Sequence, residues 1–448
     1  MMSPETITAA VKAAMPEVMT ELAELVSHAS CAFPGFPAEP VHAARKSVMR
    51  MLAKAGLETR ELDLGAGYPA VWGEIEAPPG APTVLLYAHY DIQPAPMAQG
   101  WDSDPFKAVM RDGRLYGRGA ADDKSGIAIH AATLRAFAGK PPVGIKLVIE
   151  GEEETVSNLE AYVNKHPEQF KADVMIIADM GNITCGEPVL TTMLRGHVQC
   201  SVEVRTLDRP LHSGVFGGPA PDAFVALIRL LNSLWDERGN TAVAGLTAFE
   251  WPGAPYPEDL YREMAGMLPG VEVVGDGSIA SRLWSRPTVS VLGIDGPPAI
   301  AEAGNVLLPS AKAKVALRIA PGADPDAELA ALEAHLVANA PWGVVVEVRD
   351  IKASDAFKAP AGGPAMAAAT AALAAAYGKA PSEVGSGGSI PLLETLAKAS
   401  PGAEFILWGA EDALANIHGA NESVHPDEIE RMAIAQGLLM VALGDLKR

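Results

Sequence analysis

The runs TVLLYA (83–88), GIKLVIE (144–150) and DVMIIA (173–178) are apolar at nearly every residue, and each ends in acids or an imidazole. A strand that is apolar on both faces must be covered on both, as inner strands are in a sheet flanked by helices. Helical patterns separate the runs, at SGIAIHAATLRAFAG (125–139) and TVSNLEAYVNKH (155–166). This alternation predicts an α/β domain with a mostly parallel central sheet flanked by helices.

From about residue 195 the rhythm changes. QCSVEVR (199–205) alternates as a half-exposed strand should, and PDAFVALIRLLNSLW (221–235) is a strongly amphipathic helix. Strands at TVSVLGI and AKVALRIA, a helix at DPDAELAALEAHLVAN and a strand at GVVVEVRDI complete the order β-α-β-β-α-β, the ferredoxin-like arrangement. A Pro/Gly-rich stretch, 241–287, interrupts it. The α/β pattern returns with the alanine-rich helix 364–378, a strand at EFILWGA and a last helix from Pro426. The reading is a discontinuous α/β domain, residues 1–192 and 358–448, into which a ferredoxin-like α+β domain, 193–357, is inserted.

The chain's 448 residues carry a formal charge of −20. Nucleic acid and anionic membrane would be repelled in bulk, and no block of Lys and Arg offsets this. The most apolar stretch, 364–378, is shorter than the roughly 20 residues of a membrane span. Cys31, Cys185 and Cys200 are odd in number and lack CxxC spacing, which reads as free thiols in a reducing compartment. The N-terminal stretch up to Val26 reads as an amphipathic helix without a secretory signal. The cytoplasm is the expected location.

Ligands of open α/β sheets bind beyond the carboxyl ends of the strands. Here those ends supply His89 and Asp91, then Glu152 to Glu154, then Asp179, then a loop with His418. GRGAADDKSG (117–126) adds Asp122 and Asp123. Singly, each has an ordinary reading: a His-x-Asp caps a loop, three glutamates begin a solvated helix, and paired aspartates make a turn. Delivered to one sheet edge, so many carboxylates need a cation. Imidazole plus carboxylate without thiolate suits zinc or manganese. No HExxH is present, which excludes that single-zinc motif, and two histidines with several acids are enough for a two-metal site, the metals about 3.5–4 Å apart and sharing a carboxylate. His89 and Asp91, two apart, face one side of an extended segment, so Asp91 is placed to accept the far N–H of His89.

With these residues assembled, the sequence resembles the M20 family of metallopeptidases. The matching motifs are AHYDIQP, GRGAADDKSG, IEGEEETVS, IIAD, LHSGVFGG and NIHGANESV, in family order from residue 88 to residue 425. The resemblance implies a catalytic α/β domain with an inserted lid and dimerisation domain, and two divalent ions per subunit, Zn2+ or Mn2+. His89 and Asp179 would hold one, Glu154 and His418 the other, and Asp122 would bridge them, its link to Asp123 being cis. Asp123 becomes a supporting group. Glu153 resembles the general base that takes a proton from the metal-bridging water, and Glu152 is read as a surface acid.

LHSGVFGG resembles the carnosinase-like dipeptidase branch. There the lid histidine, here His212, enters the partner subunit's site and stabilises the tetrahedral intermediate, so a homodimer through the lid is implied. Arg318 resembles a lid arginine that binds the substrate's C-terminal carboxylate, and GSGGSIP a glycine loop that assists, with Gly388 and Ser389. Relatives often carry arginine where this chain has Gly385. Asp179, where carboxypeptidases and deacylases tend to have glutamate, favours dipeptides with a free N-terminus. The alternative on the same scaffold is an N-acyl-amino-acid deacylase or carboxypeptidase. His28, His42, His130, His166, His197, His335 and His425 are assigned ordinary structural roles.

Overall fold

The computed structural model describes residues 2–446, apart from residues 361, 389 and 391. The chain divides into two compact units: Met1–Thr192 with Ala359–Glu383 and Leu392–Arg448, and Met193–Lys358 with Val384–Pro391. Residues 384–391 therefore group with the smaller unit, whereas the sequence rhythm puts them in the larger domain.

In the larger unit, Thr83–His89 runs parallel to both Gly144–Glu150 and Val174–Ile177. Glu404–Leu407 is parallel to Val174–Ile177 and sits between it and Val189–Leu194, which runs antiparallel. Thr59–Leu62 and Ala70–Ile75 extend the other side as antiparallel strands. The sheet is thus mixed, parallel at its centre and antiparallel towards its edges. All four residues of Val174–Ile177 and the last six of Thr83–His89 are buried, as an inner strand requires.

The helices Pro4–Val26, Lys124–Ala136, Pro364–Tyr377 and Pro426–Asp445 contribute to one core with these strands. Fully burying a side chain such as Ile129 or Leu86 contributes roughly 1.5–3 kcal/mol relative to exposure. The alanine-rich helix buries Ala365, Ala369, Ala372 and Leu373, a stripe at helical spacing. It stops at Gly378, whose left-handed backbone has φ 71°. His425 accepts from the Asp427 N–H at 3.2 Å. That bond caps the last helix, a structural role as expected.

In the smaller unit, Gly196–Arg205, Thr288–Asp295, Ser310–Ile319 and Val345–Ser354 form an antiparallel sheet. Its spatial order is second, third, first, fourth, as a ferredoxin-like chain produces. Val198, Cys200, Val202 and Val204 alternate into a core with Leu227 and Leu230 of Ala223–Asn232 and with Leu332 and Leu336 of Pro325–Ala338. His335 reaches the Ser233 carbonyl at 2.9 Å and ties the two helices together.

Candidate metal centre

The central strands end where the larger unit gathers its acids. Parallel register sets His89 beside Glu150, so the segments that follow both strands start from one edge. The helix Lys124–Ala136 begins at the same place. Asp123 caps it, accepting from the Gly126 N–H at 3.2 Å and from the His89 N–H at 3.1 Å. A Cβ on Gly126 would lie 2.4 Å from the Asp123 carboxylate, so only glycine fits there. The Asp122–Asp123 peptide is cis. Its carboxylate is engaged by two main-chain N–H groups, and Asp123 belongs to neither candidate ligand group described below.

Asp122 faces two imidazoles. His89 Nε2 is 3.0 Å from one of its oxygens and His418 Nε2 is 2.9 Å from the other. His89 also lies 3.9 Å from Asp179, and His418 lies 3.3 Å from Glu154. Two ligand groups result, His89–Asp122–Asp179 and Asp122–Glu154–His418, with ligand atoms within 4.8 Å of one another in each. Asp122 belongs to both.

The charges explain why this arrangement calls for cations. Burial alone opposes ionisation of Asp122, yet the His418 and His89 hydrogen bonds hold its pKa well below the usual carboxylate range. Burial also works against a charged His89, but Asp122, Asp91 and Asp179 raise it well above the ordinary histidine value. His418 is raised to about 10 by Asp122 and Glu154. Burial, then Asp123, pushes Asp179 well up, and burial pushes Glu153 to about 8 with Glu154, Asp91 and Asp122 adding to it. Protons thus stand where positive charge is required. Nitrogen and oxygen donors without thiolate, around one shared carboxylate, fit a pair of divalent ions.

Asp91 is fully buried, and its carboxylate is engaged differently from the sequence expectation. The His89 Nδ1–H bond goes to the Asp91 carbonyl at 3.2 Å, while the carboxylate oxygen is at 3.4 Å. That carboxylate instead accepts the Glu153 and Glu154 N–H groups at 3.1 and 3.0 Å. It fixes the main chain of the candidate base and of a ligand together. Gln93 donates to Glu154 at 2.7 Å and orients it.

Three residues that bear on this site carry no local sequence signal as ligands or bases. Glu422, fully buried, accepts from Arg118 at 2.6 Å and from the N–H groups of Gly119, Ala121 and Asp122 at 3.0, 2.9 and 3.1 Å. Arg118 also donates to the Gly419 carbonyl at 3.0 Å. Glu411 has its pKa raised to about 8 by burial, then by Asp122 and Glu422. His418 itself sits at φ 60°, between Asn416 at φ 51° and Asn421 at φ 60°. Positive φ at three non-glycine residues means that the loop carrying His418 is held in an uncommon conformation. Arg114 pins the start of that loop through two bonds to Asp412, at 2.7 and 3.0 Å.

One reading is corrected. Glu152 is 7% exposed, not a surface acid: Asn158 donates to it at 2.7 Å and its carboxylate fills the space beside Gly67.

The remaining site residues from the sequence lie in the smaller unit. His212 is exposed, its Nδ1 accepting from the Gly214 N–H at 3.1 Å. Arg318 is half-buried across the ladder from His197 and Thr288. Gly388 donates to Ser386 Oγ at 3.2 Å, and Ser389 is outside the described residues. The departure at Gly385 has a steric reason. A Cβ there would lie 2.6 Å from the Trp284 Cβ and 3.3 Å from Trp251, and these two indoles pack edge to face at 5.0 Å. Indole fills the space an arginine would need.

The profile of peptidase family M20/M25/M40 matches residues 85–440. The chain is 41% identical to the cysteinylglycine-S-conjugate dipeptidase of Corynebacterium striatum over 436 residues, 95% of each chain. It is 32% identical to the human Beta-Ala-His dipeptidase over 58% of this chain and 57% of that one. The crystal structure of human carnosine dipeptidase 1 superposes with a TM-score of 0.83 at 24% identity, covering 99% of both chains.

Proposed function

The chain belongs to peptidase family M20/M25/M40 and is a metal-dependent peptidase; from that premise we propose that it cleaves the amide bond of dipeptides with a free N-terminus. The observation that carries this reading is the pair of ligand groups sharing Asp122, with Asp91 fixing Glu153 and Glu154 as one rigid segment. Two divalent ions, zinc or manganese, would be held by His89 and Asp179 and by Glu154 and His418. Bound there, such ions polarise the scissile carbonyl and make water acidic enough to attack near neutral pH.

Glu153 takes the proton of the attacking water and returns it to the departing amine. Arg318 receives the substrate's C-terminal carboxylate, a task suited to a bidentate guanidinium, with Gly388 and Ser389 beside it. The enzyme works as a homodimer through its smaller unit, His212 acting in the partner's site. The exposure of His212, with Val215 and Phe216 70% and 47% exposed next to it, supports a surface made for pairing. Three free cysteines, two of them buried, support a cytoplasmic location.

The test is hydrolysis by zinc- and manganese-reconstituted protein of a dipeptide panel that includes S-substituted cysteinylglycine. N-acetylated and C-amidated versions run alongside, with Glu153→Gln as control. Cleavage of free dipeptides alone, abolished by the substitution, is the expected result. Equal or faster cleavage of the acetylated compounds would make the protein a deacylase and overturn the reading drawn from Asp179.

A further inference from the structure

The smaller unit carries a half-open cavity of about 1000 Å3, bounded by the strand Thr288–Asp295 and by the Pro/Gly-rich stretch that interrupts the ferredoxin-like order. Trp235, Leu246, Phe249, Ile279 and Leu283 form its apolar wall. Three arginines also line it, and two are engaged. Arg282 donates to the carbonyls of Val274 and Gly275 at 2.8 and 3.2 Å. Arg286 donates to the Asp276 carbonyl at 2.6 Å and pairs with Glu250.

Arg195 differs from both, and it is only 9% exposed. Among the described residues its one side-chain acceptor is the neutral Thr288 hydroxyl at 3.0 Å, its buried Nε has no partner, and no carboxylate pairs with it. Its main-chain N–H is tied to the Ser386 carbonyl at 3.1 Å, beside the glycine loop. Arg318, opposite His197 in the ladder, adds like charge, and burial together with Arg318 lowers the Arg195 pKa to about 10. The cavity's acids do not answer it: Glu250 is held by Arg286, Asp276 by Arg238, and Glu272 is exposed. A desolvated guanidinium facing a second one is costly unless an anion completes it.

We propose that this cavity binds an α-carboxylate bearing a bulky apolar side chain, the carboxylate on Arg195 and the side chain against Trp235, Leu246, Phe249, Ile279 and Leu283. Arg318 takes the C-terminal carboxylate of an intact dipeptide, so the occupant of this cavity is the free amino acid that a dipeptide releases. That source rests on the dipeptidase reading.

Two variants test the site: Arg195→Gln removes the charge and Leu283→Trp fills the cavity. Calorimetry measures binding of leucine and leucinamide to the metal-loaded protein, and turnover gives KM for glycyl-leucine and glycylglycine. The native protein should prefer leucine to leucinamide by about tenfold or more. Arg195→Gln should erase that preference, and Leu283→Trp should weaken leucine by a similar factor. The expected result is that leucine binding weakens in Leu283→Trp while both KM values hold. A rise of KM for glycyl-leucine alone would put the substrate's own C-terminal residue in the cavity and overturn the proposal. Leucine binding unchanged in both variants overturns the proposal. Thermal melting confirms that each variant folds, and Leu246→Phe replaces Leu283→Trp if that one does not. The leucine titration needs no turnover, so a native protein that cleaves no dipeptide refutes the dipeptidase reading and leaves the cavity judged on binding alone.

Discussion

Replacing Glu422 by alanine should be among the most damaging single changes near the metal centre, although Glu422 is not a ligand. The carboxylate is fully buried and its partner Arg118 is 1% exposed, so neither gains from water. Burial raises the Glu422 pKa despite Arg118, which means the intact pair adds little net stability. Breaking it is another matter. An arginine left buried without its anion costs about 3–5 kcal/mol. The N–H groups of Gly119, Ala121 and Asp122 lose their acceptor as well, at about 1–3 kcal/mol for each that water does not reach. A loss of about 4 kcal/mol or more is therefore expected, read as the shift in urea unfolding of the chelated protein. Arg118→Met combined with Glu422→Ala should recover part of it, because no lone charge remains. Metal affinity should fall too, since the residues released by the substitution run directly into Asp122. A loss under about 1 kcal/mol, the range of an exposed ion pair, would refute the argument that this pair is desolvated and holds the loop.

Three further outcomes follow from particular contacts. His130 is fully buried, with Nε2 donating to the Tyr87 carbonyl at 3.0 Å and Nδ1 3.1 Å from the Gln436 side-chain amide; burial lowers its pKa to about 4. Its folded pKa lies below the unfolded value of 6.5, so stability is full above 6.5 and falls by roughly 3 kcal/mol as pH drops towards 4. His130→Gln should flatten that part of the pH–stability curve, as followed by thermal melting. Gly385→Arg should destabilise by about 1–3 kcal/mol through the Trp284 clash, and Trp284→Gly, which removes the clashing Cβ, should relieve it in the double variant; equal stability of the two would contradict the packing. Mixing inactive His212→Ala with inactive Glu153→Gln should restore about a quarter of native activity through hybrid dimers, whereas no recovery would place His212 in its own subunit's site.

Local pattern makes the candidate ligands legible because each follows an apolar run, and burial of such a run dictates where it ends. His89, Glu154 and Asp179 can be found this way, as can the ferredoxin-like order, whose periods of 2 and 3.6 alternate cleanly. Glu422 and Arg118 cannot be paired from sequence. Their bond joins segments about 300 residues apart, and nothing near Glu422 distinguishes it from a solvated acid. Glu152 misleads for the same reason: an acid run looks exposed until Asn158 and the turn at Gly67 close over it. The Gly385 departure is visible in the sequence, but its cause lies in Trp284, a hundred residues earlier. The Arg318 motif is recognisable, whereas Arg195 resembles any arginine at a strand end.

The strand Glu404–Leu407 lies between Val174–Ile177 and Val189–Leu194, and this placement governs the order of events during synthesis. A ribosome delivers residues 174–177 and 189–194 more than two hundred residues before the strand that separates them. Until it arrives the central sheet has an open slot with two unpaired edges, each a template for pairing with another chain. The smaller unit, by contrast, is almost complete once residue 358 has emerged. Synthesis therefore finishes the inserted unit first and the larger one last. His418 comes later still, so the second candidate ligand group is assembled only after the inserted unit has emerged.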